Sequence, residues 1–266
     1  MSTSKFQQRF IAFVDILGFT NIVRRMSEES RLFVTIRDSL KSLDLQSRRF
    51  QEYRRRLQDK RKQIIQKGLV PLLPNITDLQ MTAFSDCYVI SEITPAWHVL
   101  AAIQTLGANL LKEGILTRGA VVYGDAYHKG RVLFGPGIVE AYKLESEVAK
   151  YPRILVTDSV RQTVWGYHNG LCKGRLLKQD IDGCWFVNVL TPPLSSWAAV
   201  SDKTNDRNAR LFLQKIRQSL TTELRREREN LSHLSKVRWL VHRFNEEATA
   251  EGVRTITGDK GALLKC

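Results

Sequence analysis

Apolar positions along this chain fall into short runs with two different periods, and the periods predict the elements. Phe10 to Asp15 is almost wholly apolar up to one acid, the pattern of a buried central strand. Gly18 permits a sharp turn, and Thr20-Asn21 can cap a helix running from about Asn21 to Leu43. Its residues Ile22, Val23, Met26, Leu32, Phe33, Ile36 and Leu40 recur at helical spacing. From Asp44 to Lys67 the chain stays helix-forming but loses its apolar positions, as an exposed extension or arm would, and Gly68, Pro71 and Pro74 then break it. Leu79 to Ile93 alternates around Ser85-Asp86, predicting a hairpin with an acid at its tip. Pro95 opens a helix to about Lys112, with Trp97, Leu100, Ala101, Ile103, Leu106 and Leu110 as its buried stripe.

Ile115 to Tyr123 reads as another strand, in which Gly119 and Gly124 leave room for close backbone approach. A Gly-Pro-Gly turn starts a helix over Ile138 to Lys150, and Arg153 to Val156 returns as a strand. Leu171 to Leu177 and Cys184 to Leu190 form a last hairpin. The tail from about Asn205 is helical, with Trp239 and Phe244 as anchors onto the body. Strand, helix, hairpin, helix, strand, helix, strand is the order of an α+β fold: a split βαββαβ (ferredoxin-like) palm with a helical arm and C-terminal helices. The expected division is a body over 1–195, carrying the arm at 44–67, and a C-terminal helical extension over 196–266.

Composition narrows the partners. No apolar run approaches the roughly 18 to 20 residues of a membrane span, and MSTSKFQQRF lacks the apolar core of a secretory signal. Four scattered cysteines (Cys87, Cys172, Cys184, Cys266) form no CxxC pair, so a reducing cytoplasm is the expected setting. The net charge of +14 points to polyanionic partners. The basic stretches Arg48–Lys67 and Arg207–Arg243 are weighed as solvated helix faces ahead of nucleic-acid surfaces, so neither membrane nor nucleic acid is an expected partner.

In such a palm the first strand and the hairpin are neighbours, which brings Asp15 and Asp86 together. Two converging carboxylates repel unless a cation lies between them, and hard divalent ions with oxygen ligands are its natural occupants. Two-metal sites of this kind clamp a phosphoryl centre, and amides around Leu17 to Thr20, at a helix start, would face phosphates. Singly, Asp15 reads as a helix cap and Asp86 as a turn residue. Together, in this topological order, they read as a metal site.

Three motifs carry a family resemblance. FVDILGFT resembles the first metal motif of class III nucleotidyl cyclases, and FSDCYVIS resembles their second, with Ser85 in place of a glycine. FGPGIVEAYKLESEVAKYPRILV resembles their dimer-interface helix and the strand after it. The resemblance spans Arg9 to Leu190, and the third motif is most similar to the bacterial pyrimidine cyclases of Pycsar antiphage systems, which make cyclic UMP or cyclic CMP for a separate effector. It implies that Asp15, Asp86 and the Ile16 carbonyl bind two Mg²⁺ or Mn²⁺ ions, and that Gly18, Phe19 and Thr20 hold the phosphates. The family's ribose-positioning asparagine is matched by Val139, and its transition-state arginine by Lys143, which keeps the charge without the bidentate fork. The purine-selecting positions are matched by Thr82 and Val132. Adenine and guanine readout are therefore not expected, and Thr82 becomes a base contact.

Arg118, inside a strand, either reaches the nucleotide or sits in a structural ion pair with an acid such as Glu140. Tyr53 and Phe50 on the arm either cover the base or pack the arm down. His128 reads as structural rather than as a general base, and Asp125 as a turn residue. Because the metal edge and the Lys143 helix lie apart on one palm, the resemblance implies a homodimer with two composite sites. The expected activity is conversion of UTP to cyclic UMP and pyrophosphate. The alternatives are a cytidylate cyclase, a purine (adenylate or guanylate) cyclase, and a non-catalytic nucleic-acid-binding palm.

Overall fold

The computed structural model describes residues 5–39, 78–93, 97–167, 176–192, 202–226 and 230–257, with scattered positions between 41 and 67. The elements are β1 (Gln7–Ile16), α1 (Phe19–Met26), α2 (30–39), β2 (Gln80–Phe84), β3 (Cys87–Glu92), α3 (Trp97–Leu111), β4 (Thr117–Lys129) and β5 (Val132–Phe134). Then come α4 (Pro136–Lys143), a π-helical turn (Leu144–Val148), β6 (Ile154–Val156), α5 (Asp158–Tyr167), β7 (Leu177–Gln179), β8 (Trp185–Val187), α6 (Asp202–Arg226) and α7 (Leu231–Ala250). The strands form one mixed sheet in the order β2-β3-β1-β4-β6-β8-β7, with β5 paired to β4. Among the described residues only β4 and β6 run parallel, joined by the crossover through α4. The fold is α+β, with β1 central between β3 and β4, as the order of elements predicts.

Alternation along β1 assigns the two faces. Phe10, Ala12, Val14 and Ile16 enter the main core with Leu100, Ile103 and Leu106 of α3, Ile22 of α1 and Ile36 of α2. Ile11 and its partly buried neighbour Phe13 point the other way, where Ala141 of α4 meets Val89 and Val122. Gly119 is required on β4, because a Cβ there would lie 2.3 Å from the Phe13 carbonyl oxygen. α6 and α7 bury Leu213, Ile216, Val237 and Phe244 against Leu17, Ala108, Leu111 and Leu116. Trp239 stacks on Tyr151 at 5.5 Å and donates its Nε1–H to Asp180 Oδ2 at 3.1 Å. Asp180 is also held by Arg153 and by Arg243, the latter at 2.5 Å.

Several boundaries differ from the sequence pattern. The helix expected over Asn21 to Leu43 breaks at 27–29, where the Ser27 hydroxyl donates to the Arg24 carbonyl at 2.8 Å and competes with the helix backbone. The strand expected to stop at Tyr123 runs on to Lys129, because Gly124–Ala126 still pair with β1 and Tyr127–Lys129 pair with β5, which the pattern did not show. Asp125 is accordingly a strand residue opposite Gln8, whose Nε2 donates to it at 2.7 Å, and not a turn. The helix expected over Ile138 to Lys150 starts at Pro136 and widens to π geometry at Leu144. Helix α5 was not foreseen. In the last hairpin the strands are only three residues each, and the part of the expected Leu171–Leu177 strand before 176 lies outside the described residues.

A directed chain of polar contacts ties the far ends of β1 and β4 to β2. The Arg9 Nε–H donates to Ser91 Oγ at 2.9 Å, Ser91 faces His128 Nδ1 at 2.8 Å, and His128 Nε2 faces Thr82 Oγ1 at 2.9 Å. Thr82 spends its one proton on the Gly130 carbonyl at 2.8 Å. His128 must then donate from Nε2, and as a neutral, structural histidine it accepts the Ser91 hydroxyl at Nδ1. Burial, reinforced by the Arg9 charge, pushes its pKa down to about 4. A folded value below the unfolded one leaves the stabilisation complete above about pH 6.5 and removes it as pH falls toward 4. In urea titrations, wild type should lose about 1.4 kcal/mol per pH unit across that window relative to His128→Gln. The acids shared by both proteins cancel in that difference, and parallel pH profiles would refute the assignment.

Candidate active site

The site is a row across three strands. Asp15, next to last in β1, lies opposite Cys87 of β3 on one side and Arg118 of β4 on the other. All three continue the β1, β3 and β4 positions that face α4 (Phe13, Val89, Ala120) and so share that face of the sheet. The hairpin tip adds Asp86. Its turn has only two residues, and Ser85 takes φ 55, where glycine is the usual occupant. The Ile16 N–H donates to the Asp86 carbonyl at 3.0 Å, so the backbone itself closes the tip against the end of β1.

One ligand atom from each of Asp15, Asp86 and Cys87 lies within 4.8 Å of the others. The Cys87 thiol is 3.8 Å from Oδ1 of both acids. Burial and then the charges of Asp15 and Asp86 push that thiol up to about 12, so it stays protonated and shares its proton with the carboxylates. Burial and the Asp86 charge likewise push the Asp15 carboxyl above its usual range, against the opposing pull of Arg118. Two carboxylates with, among the described residues, only Arg118 paired to one of them are an oxygen donor set suited to hard divalent ions such as Mg²⁺ or Mn²⁺.

After β1 the chain turns at Gly18, whose φ of 71 favours glycine, and this residue rather than Thr20 or Asn21 is the N-cap of α1. Its carbonyl accepts from the Asn21 and Ile22 amides. The amides of Phe19 and Thr20, in the first turn, have no intrahelical partner and follow Asp15 by four and five residues, where a helix start can serve as an anion donor. The Phe19 ring packs on the main core, while Thr20 is exposed.

Glu145 is a member that the sequence pattern did not single out. It sits on the π-helical turn, is 3% exposed, and meets Arg118 Nε at 2.5 Å. The same nitrogen lies 3.5 Å from Asp15 Oδ2. Arg118 therefore does sit in an ion pair, but its acids are Glu145 and Asp15, not Glu140. The wider π turn rotates Glu145 onto the sheet, whereas Glu140 lies near Gly124. Burial, followed by the Asp15 and Asp86 charges, raises the Glu145 carboxyl, while Arg118 opposes them.

Other predicted residues lie elsewhere. Lys143 is exposed on the last turn of α4 and makes no ion pair among the described residues. Thr82 belongs to the His128 chain. Val132 and Val139 are exposed. Tyr53 and Phe50 lie outside the described residues.

No family model and no curated protein matches the chain. Among solved structures, the chain is similar to the catalytic core of a rhodopsin-guanylyl cyclase with converted specificity in complex with ATPαS. The TM-score is 0.39 at 18% identity, covering 69% of this chain and 96% of that one. It is also similar to the monomeric guanylyl cyclase domain of the RhoGC fusion protein from the aquatic fungus Blastocladiella emersonii (TM-score 0.38, 16% identity, 68% and 95% covered). Neither likeness is close enough to carry a functional assignment. Among the described residues, no helix is long and apolar enough to cross a membrane.

A raised folded carboxyl means that ionising Asp15 costs stability: the cost grows as pH rises from the unfolded carboxyl value to the folded one and is constant above it. At pH 7 in chelator, Asp15→Asn should raise the thermal midpoint by about 2–4 °C, the shift expected for roughly 1 kcal/mol in a chain of this size. Added Mn²⁺ should then raise the midpoint of wild type alone. A lower midpoint for the variant in chelator would refute the repulsion.

Proposed function

We propose that this chain is a metal-dependent nucleotide cyclase that converts UTP to cyclic UMP and pyrophosphate as a signal for a separate effector. The observation that carries the reading is the backbone closure of the Asp86 tip onto the end of β1, which holds two carboxylates together just before the start of α1. Asp15 and Asp86, with the Ile16 carbonyl, would hold two Mg²⁺ or Mn²⁺ ions. Bound there, the ions supply Lewis acidity at the α-phosphate and lower the pKa of the ribose 3′-hydroxyl.

The chain's own groups do the rest. Amides of Gly18, Phe19 and Thr20 bind the β- and γ-phosphates and orient the α-phosphate for in-line attack. Lys143 is an exposed point charge, free of ion pairs among the described residues, and it would meet charge developing on the α-phosphate. Following the family resemblance, the site is composite across a homodimer, with the acids from one chain and Lys143 from its partner. The Thr82 proton is committed to Gly130, so toward a base this hydroxyl offers only a lone pair. That suits an N–H donor such as uracil N3–H. Arg118, held by Glu145, lines the metal edge, and Tyr53 is assigned to the base.

Incubation with ATP, GTP, CTP and UTP separately, each with Mn²⁺, should yield cyclic UMP from UTP. Cyclic CMP alone would move the assignment to a cytidylate cyclase. Product from ATP or GTP alone, or no product together with tight DNA binding, would overturn it. Asp15→Ala and Asp86→Ala should abolish turnover in a folded protein, and Lys143→Ala should lower kcat by about 10²–10³. Mixing Asp15→Ala with Lys143→Ala chains should restore activity, and heterodimers without activity would exclude the composite site.

A further inference from the structure

Arg118 is an awkward neighbour for a metal ligand. A fixed guanidinium on a carboxylate competes directly with any metal ion for that carboxylate, so a full Arg118–Asp15 pair would close the site to cations. Three observations show that the pair is incomplete. Arg118 Nε is 2.5 Å from Glu145 but 3.5 Å from Asp15. Glu145 is nearly fully buried, so its carboxylate has little water to turn to and is held at the guanidinium. The turn that delivers it is π-helical between α4 and the loop before β6, a local widening that presents Glu145 inward while Ser146 and Glu147 face solvent.

We propose that Glu145 is a positioning residue that draws Arg118 off Asp15 and so keeps the Asp15 carboxylate available to the metal. The inference rests on the reading of Asp15 and Asp86 as metal ligands and adds a residue that this reading does not contain. Glu145 itself does not ligate: it acts through Arg118. Removing its charge leaves Arg118 with Asp15 as its nearest acid, the two close up, and metal affinity falls although both ligands are intact. Removing Arg118 as well removes the competitor, and affinity returns.

The test reads metal binding directly. Mn²⁺ is titrated into the full chain without nucleotide, by calorimetry and by the electron paramagnetic resonance signal of free Mn²⁺, with circular dichroism confirming the fold. Glu145→Gln should bind Mn²⁺ about tenfold more weakly than wild type, the usual scale for losing an outer partner of a metal ligand. Glu145→Asp, which keeps the charge on a shorter arm, should fall between them and provides the measurement if the glutamine variant fails to fold. Arg118→Met should bind at least as tightly as wild type, and Arg118→Met/Glu145→Gln should recover wild-type affinity or better. Glu147→Gln, the same charge change on the exposed side of the turn, should stay within twofold. Unchanged affinity in Glu145→Gln, or a double variant as weak as Glu145→Gln, would overturn the positioning role. An equal loss in Glu147→Gln would also overturn it, because bulk charge would then suffice. Wild type that binds no Mn²⁺ would instead overturn the metal site itself.

Discussion

The backbone hydrogen bond from Ile16 N–H to the Asp86 carbonyl is the constraint on which the site depends. Two carboxylates this close drift apart if only their side chains decide. Here the strands decide. Six consecutive β1–β3 pairs place Asp15 opposite Cys87, and a two-residue turn leaves Asp86 nowhere else to go. The turn accepts a positive φ at Ser85, a conformation costing a non-glycine residue roughly 1–2 kcal/mol, which the flanking ladders must offset.

A site assembled by its backbone can carry charge that its side chains would not tolerate. Asp15, Asp86 and Glu145 face a single guanidinium, and the intervening thiol is held neutral. Burial first, and the neighbouring acids after it, raise the carboxyls of Asp15 and Glu145. Structures that violate charge pairing do so at functional sites and compensate elsewhere. The compensation is visible at the other end of the sheet, where Arg9 is fully buried yet paired with Asp78 at 3.0 Å, and every donor in the His128 chain has an acceptor.

What could be read in advance follows from the range of the interaction. Alternation in β1, the hairpin at Ser85-Asp86 and the need for Gly119 are local or one-strand-away features, and each was legible. The pairing of Asp15 with Asp86 was legible because strand order follows from element order. Glu145 was not, because a π turn shifts the helical phase and no periodicity announces it. Cys87 was visible only as a motif letter, since its contact with both acids depends on the β1–β3 register. The docking of α7 was half legible: Trp239 and Phe244 stood out as large apolar residues, but the polar partner of Trp239, Asp180, lies 59 residues away in sequence. Tyr53 lies outside the described residues.

The two faces of the sheet then acquire different work. One is sealed by α1, α2, α3 and α5 into the main core. The other carries α4 and its π turn, leaving Val139 and Tyr142 more than half exposed and Phe13 in edge contact with Tyr142. The row Cys87–Asp15–Arg118 ends on this thinly covered face. A polyanionic ligand of this edge would need such an opening, since burying its charges under a second helical layer is costly. The segment that covers this face also looks both ways within three residues, with Lys143 outward to solvent and Glu145 inward to Arg118. A shift of this turn would therefore move the outward cation and the inward carboxylate together. That makes the π turn the mechanical link between the acid edge and whatever Lys143 touches.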